Sequence, residues 1–217
     1  MNRRAMLAAL GLGALGALTW RYRPDDGLRN PCLNEPLPEA LARHDLVQAA
    51  WRDIDPAHYW DCHVHLVGDG EPGGEAWINP QARSLWHPLQ YLQRQFYLNA
   101  ACVADSEKRS AAYVERLLAL HGDFPPGARF MLLAFDHHHN ERGERDLELS
   151  PIHTSNEYAA RVAGAHSQAF EWIASVHPYR EDCVSALEWA TANGARAVKW
   201  LPNAMGIDPR DPRCLPF

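Results

Sequence analysis

Asp61-Cys62-His63-Val64-His65, entered through Tyr59-Trp60 and left through Leu66-Val67-Gly68, is the stretch on which the reading of this chain turns. Residues 59–66 are a run of apolar and β-favouring side chains that stops at glycine, the pattern of a buried strand. Successive strand residues point to opposite faces, so His63 and His65 present both imidazoles to the same side. Two imidazoles side by side at a strand end suit a divalent ion. The bare H-x-H spacing is not specific. With 12 histidines in 217 residues one chance occurrence is unsurprising, and His137-His138-His139 supplies another. Context separates the two: the first closes an apolar strand in the order D-x-H-x-H, whereas the triple histidine follows Asp136 in a segment rich in Glu and Arg and reads as a solvated loop tip.

Outward from that strand, residues 130–135, 171–176 and 197–201 also read as short buried strands, each ended by polar, Gly or Pro residues. Helical patterns lie between them. Residues 106–120 place Tyr113, Leu117 and Leu120 at helical offsets; 155–168 is alanine-rich; 180–193 opens with acids and stops at Asn193-Gly194, a natural C-cap. Residues 38–51 read as a short helix outside the main core. Strands alternating with helices imply βα units and a parallel sheet. The segment 67–129 between the first two strands is long, and segments of this length usually serve a function.

Asp61-Cys62-His63-Val64-His65, followed by Ser175-Val176-His177-Pro178 and by Gly194-Ala195-Arg196-Ala197-Val198-Lys199-Trp200-Leu201-Pro202, resembles the amidohydrolase superfamily, in particular its branch of amidohydrolase-related hydrolases and decarboxylases. The resemblance runs from about residue 59 to the C-terminus. It implies an α/β fold of the TIM-type (β/α)8 barrel family, a divalent metal at the carboxyl ends of the strands, and a metal-activated water acting on a C–N or C–O bond of a small-molecule substrate. Zinc is the first expectation, with manganese or iron open. His63 and His65 would be metal ligands. Lys199 would be a third, or else a polar or anion-binding group at the mouth. His177 would be a substrate contact, or else a satisfied structural histidine. Asp61 would orient a ligand imidazole, or else be a strand-edge acid. Catalytic acid and base residues are not assigned.

A barrel of eight strands takes about 250 residues, and only about the first four βα units are expected here. Three consequences stand open: an incomplete hydrolase; a homo-oligomer or second chain that completes the barrel; or an exported metal-binding or vestigial half-barrel without catalysis. The expected organisation is a signal peptide or membrane anchor over 1–23, a tether and short helix over 24–57, and the N-terminal part of the barrel over 58–217 with its long insertion at about 67–129.

Arg3-Arg4 precede an uncharged run of Ala, Leu and Gly over residues 5–20, closed by Arg21-Tyr22-Arg23. A basic start followed by an apolar stretch is an export address. The protein is therefore expected outside the cytoplasm, periplasmic or tethered to the membrane through residues 5–20. The net charge is −6, and the basic residues at the N-terminus leave the body strongly acidic. Such a body offers no footprint for nucleic acid. Five cysteines with no C-x-x-C spacing read as buried or incidental thiols, an odd number leaving any disulfide framework incomplete.

Overall fold

The computed structural model describes residues 36–68, 75–103 and 108–217, with Gly13 and Cys32. The expected export address lies outside these residues except for Gly13, as does most of the glycine-rich stretch after β1. The chain divides into two compact units, Met1–Leu33 and Asn34–Phe217. The second carries everything that follows.

Two short helices, α1 (Glu39–Ala42) and α2 (Asp45–Trp51), bury no residue of their own. Trp51 holds α2 in place edge-on to Tyr59 and Phe124, with ring centroids 5.1 and 5.9 Å away. Strand β1 (Trp60–His65) comes next, then the short β2 (Ala76–Ile78). Helix α3 (Pro88–Ala100) starts on a proline, whose missing N–H costs nothing in a first turn. Helix α4 (Arg109–Gly122) leads into β3 (Arg129–Leu133). The minimal strands β4 (His138–His139), β5 (Arg145–Asp146) and β6 (Ile152–Thr154) follow. Helix α5 (Asn156–Ala165) begins where the Ser155 hydroxyl accepts from the Tyr158 amide. Then come β7 (Phe170–Ile173), helix α6 (Cys183–Ala192) and the single turn α7 (Pro202–Met205). Helix α6 stops at Asn193, and Gly194 takes the left-handed conformation (φ +86°) expected just beyond a helix end.

Strands β1, β3 and β7 form one parallel sheet in that order. Alternation divides the sheet's side chains between two faces. Phe130, Leu132 and Ala134 with Phe170, Trp172 and Ala174 join Val64 and Leu66 on one face. There they meet Leu117 of α4 and Tyr158, Ala159, Val162 and Ala163 of α5 in the main core. Met131, Leu133 and Ile173 form a smaller cluster. The central strand β3 is buried on both faces, which explains its unbroken apolar sequence. Helix α4 belongs to this core, so the long segment between β1 and β3 is in part a crossover helix rather than only a cover.

The expected barrel is not formed. The molecule is mixed α/β, with one small parallel sheet and two antiparallel pairs, β2 with β6 and β4 with β5. The fourth expected strand reduces to an isolated bridge between Ala174 and Val198. Its apolar side chains Val198 and Leu201 remain 39% and 38% exposed, so it has no buried face to hold it as a full strand. Strand β1 lies at a sheet edge, with Trp60 at 47% exposure. Four βα units are therefore not present, and nothing among the described residues closes the sheet on itself. Hydrophobic period distinguishes strand from helix but carries no information on closure.

The cysteines also depart from expectation. Cys32 and Cys102 are disulfide-bonded, and none of the free thiols Cys62, Cys183 and Cys214 is fully buried. No helix among the described residues is long and apolar enough to cross a membrane.

Candidate metal site at the end of the first strand

Three of the four residues singled out from the sequence come together. The Nε2 atoms of His63 and His65 are 3.1 Å apart, and Lys199 Nζ is 3.2 Å from His63 Nε2. Alternation along β1 brings the two histidines to one side. Between Asp61 and Val64 the register with β3 shifts, the mark of a bulge. The Asp61 carboxylate accepts from the His63 backbone N–H at 3.0 Å at this bulge. Asp61 thus shapes the backbone that carries His63.

An ammonium can only donate, so a protonated Lys199 uses the one lone pair of His63 Nε2, while the donor in the contact between the rings is set by their tautomers. Burial first, then the nearby Lys199 and His63, push His65 down to about 4, so it is neutral at pH 7. Burial also lowers the Lys199 amine below its ordinary value. Both effects favour the free-base forms that metals require. Two imidazole nitrogens on one zinc, at about 2.0–2.1 Å and a tetrahedral angle, lie about 3.3 Å apart. The observed 3.1 Å is a hydrogen-bond distance that also lies close to that bite, so the pair can take up a divalent ion in place of the shared proton, with the Lys199 amine beside it. Among the described residues no group of three or more His, Cys, Asp or Glu side chains is placed to hold a metal.

Lys199 is delivered by backbone and hydroxyl contacts at the ends of β3 and β7. Its N–H donates to the Ala174 carbonyl at 2.8 Å, and its carbonyl accepts from the Ser175 hydroxyl at 3.0 Å. The same Ser175 oxygen accepts from the Asp136 N–H at 3.0 Å. Asn156 grips Ser175 from both sides, accepting from its N–H and donating to its carbonyl at 2.9 and 3.0 Å. Ser175 and Asp136 are both buried. Neither was assigned a role from the sequence, although each is a polar residue within three positions of the end of an apolar strand.

His177 is fully buried, with both ring nitrogens engaged: Nε2 lies 2.7 Å from the Met205 carbonyl, and Nδ1 accepts from the Tyr179 N–H at 3.1 Å. Burial, only partly offset by the Met205 carbonyl, pushes it down to about 4. It sits among His139, whose ring centroid is 4.5 Å away, and the Asp136 carboxylate, which accepts from the His177 and His137 backbone amides. The triple histidine is no solvated tip: His137 and His139 are buried. His137 stacks on His153 with centroids 4.0 Å apart, and burial with that neighbour pushes it down to about 3.

Asp136 anchors this second group. Arg180 donates to it at 2.8 Å while gripping Asp182 with two further nitrogens at 2.8 and 2.7 Å. Burial alone would raise the Asp136 carboxyl; the Arg180 charge and the His177 and His137 amides outweigh it and hold the group below the usual carboxylate range. Beside it opens a polar cavity of about 350 Å³, lined among others by Asp136, Arg145, His153, Ser155, Arg180 and Trp189.

Comparison with protein-family models, with curated proteins and with solved structures finds no match to this chain.

Proposed function

We propose that this protein is a metal-dependent hydrolase that holds one divalent ion at His63 and His65, with Lys199 beside them, and attacks a C–N or C–O bond of a small molecule. The 3.1 Å spacing of the two Nε2 atoms carries the proposal, because it lies close to the bite of two imidazoles on a single ion. Zinc suits the nitrogen donors best, with manganese and iron as other candidates. An ion with open coordination positions supplies a Lewis acid that activates water and polarises a carbonyl.

The chain's own residues would act as follows. His65, neutral at pH 7, offers its Nε2 lone pair without first losing a proton when its ring is the Nδ1–H tautomer. His63 is the more exposed of the two, so substrate would approach on its side. Lys199 places a third nitrogen next to His63, which as a free amine would add to the donor set of the two imidazoles. The export address and the disulfide-bonded Cys32 and Cys102 support a site of action in an oxidising compartment outside the cytoplasm.

A second reading is an exported metal-binding protein without catalysis. The observation that favours it is the composition of the cluster, which among the described residues has two imidazoles and an amine but no carboxylate bonded to them as a general acid or base. Titration of the purified chain with Co2+ or Zn2+, followed by an ester, amide and lactone panel, separates the readings. Stoichiometric metal and turnover that both vanish in His63→Ala/His65→Ala are expected for the hydrolase. Stoichiometric metal with no turnover would select the binding protein, and metal content undiminished in the double variant would overturn both.

A further inference from the structure

We infer that Ser175 is a positioning residue for Lys199, holding the amine against the histidine pair; the inference rests on the metal-site reading above. The Ser175 hydroxyl is the one side chain bonded to both the Lys199 carbonyl and the Asp136 N–H, each at 3.0 Å. Its oxygen thereby ties the end of β3 to the segment carrying Lys199, across the end of β7. Asn156, itself half-buried, fixes the Ser175 backbone on both its N–H and its carbonyl, and so holds the point from which the hydroxyl projects.

Beyond the bridge at Val198 the segment is no regular strand, and it is held instead by single contacts: those of Lys199, and the Trp200 indole N–H on the Val176 carbonyl at 2.8 Å before α7 begins at Pro202. The Lys199 N–H contact to Ala174 fixes one point of the backbone, and the hydroxyl contact to the Lys199 carbonyl fixes the next. Two consecutive peptide groups held in this way set the direction in which the Lys199 side chain leaves. That direction ends 3.2 Å from His63 Nε2.

The choice of residue points the same way. Lysine occurs only at positions 108 and 199 in a chain with 21 basic residues. Lysine brings a single nitrogen to one point on a slender stem, which the broad fork of a guanidinium does not.

A double-mutant cycle on the full chain tests the inference, with Co2+ as the probe and its dissociation constant as the readout. With Lys199 present, Ser175→Ala should weaken Co2+ binding about tenfold, the usual effect of removing a group that orients a ligand. In the Lys199→Met background the same change should have no further effect, because there is no amine left to place. Equal losses in both backgrounds would make Ser175 merely structural and overturn the inference, as would an unchanged affinity in Ser175→Ala. Ser175→Cys keeps the shape and a weak donor, and is read by the same coupling if the alanine variant fails to fold. His63→Ala/His65→Ala measured alongside keeps the two levels apart: metal retained there overturns the metal site itself, whereas metal lost there with no coupling between Ser175 and Lys199 overturns only the positioning role.

Discussion

The molecule holds two groups of histidines that sequence spacing makes look alike and that the fold treats in opposite ways. His63, exposed, and His65, half-buried, end an edge strand, their imidazoles in contact with each other and with Lys199. His137, His139, His153 and His177 lie inside, around the Asp136 carboxylate and its Arg180 partner. Open imidazoles facing one another are available to a ligand. Of the buried ones, His139 and His177 are tied to carbonyl and amide partners, whereas His137 and His153 each keep a buried Nδ1 with no hydrogen-bond partner among the described residues. The comparison teaches that a histidine's chemistry is decided by what its second nitrogen touches and by whether a third party can enter.

The largest expected effect lies in the open pair. Replacing both His63 and His65 by Ala should weaken metal binding by about 100-fold or more, since even residues that only orient a ligand are worth ten- to a hundredfold. Because His63 is exposed, its single replacement should leave the thermal unfolding midpoint nearly unchanged; a large fall there would erase the distinction between the groups.

The buried group should show the reverse. Arg180→Met removes the guanidinium from a carboxylate that is only 3% exposed, leaving an unpaired buried charge at a cost of about 3 kcal/mol in denaturant unfolding. Metal affinity measured on the folded fraction should be the quantity less affected.

Acid provides a third, smaller contrast. His65 and His177 titrate at about 4 and His137 at about 3 in the folded protein, each below its ordinary 6.5. Between those values the unfolded chain binds more protons than the folded one. The stability these neutral histidines contribute is therefore complete above pH 6.5 and is lost as pH falls towards 4. Unfolding at pH 7.5 and pH 5 should show that fall, with a ceiling of about 1.4 kcal/mol per pH unit for each proton taken up. His63→Ala should leave the slope nearly intact, and a slope that disappeared in that variant would assign the acid response to the wrong group.

The smallest effect is expected far from either group. Glu171 bridges Arg129 and Arg196 at 2.8 Å each, but both arginines are substantially exposed. Glu171→Gln should cost no more than about 1 kcal/mol and be masked by salt.

Legibility in the sequence followed the same division. The β1, β3 and β7 strands and the α4, α5 and α6 helices could be placed because each carries its own local signal: short apolar runs for the strands, helical spacing in α4, alanine content in α5, and the Asn193-Gly194 stop in α6. Convergence of His63, His65 and Lys199 was legible only as an expectation from resemblance, since 136 residues separate Lys199 from His63. The barrel was not formed, because the last expected strand keeps its apolar side chains in solvent and closure leaves no local trace. Burial of the triple histidine was hidden too. It depends on Asp136, Arg180 and the short β4 and β6 strands, and each of these looks like an ordinary polar loop when read alone.

The bulge in β1 bears on how this segment can change over generations. A strand alternates its faces, so sliding β1 by one residue would turn His65 towards helix α4 and Val64 out of the core. The Asp61 carboxylate on the His63 amide pins the chain at the point where such a slip would start. Point substitutions at exposed Trp60 or Cys62 leave that phase untouched. A single codon gained or lost at positions 60–62 does not, and it would exchange the row that carries the two histidines for a core-facing one without altering a single histidine.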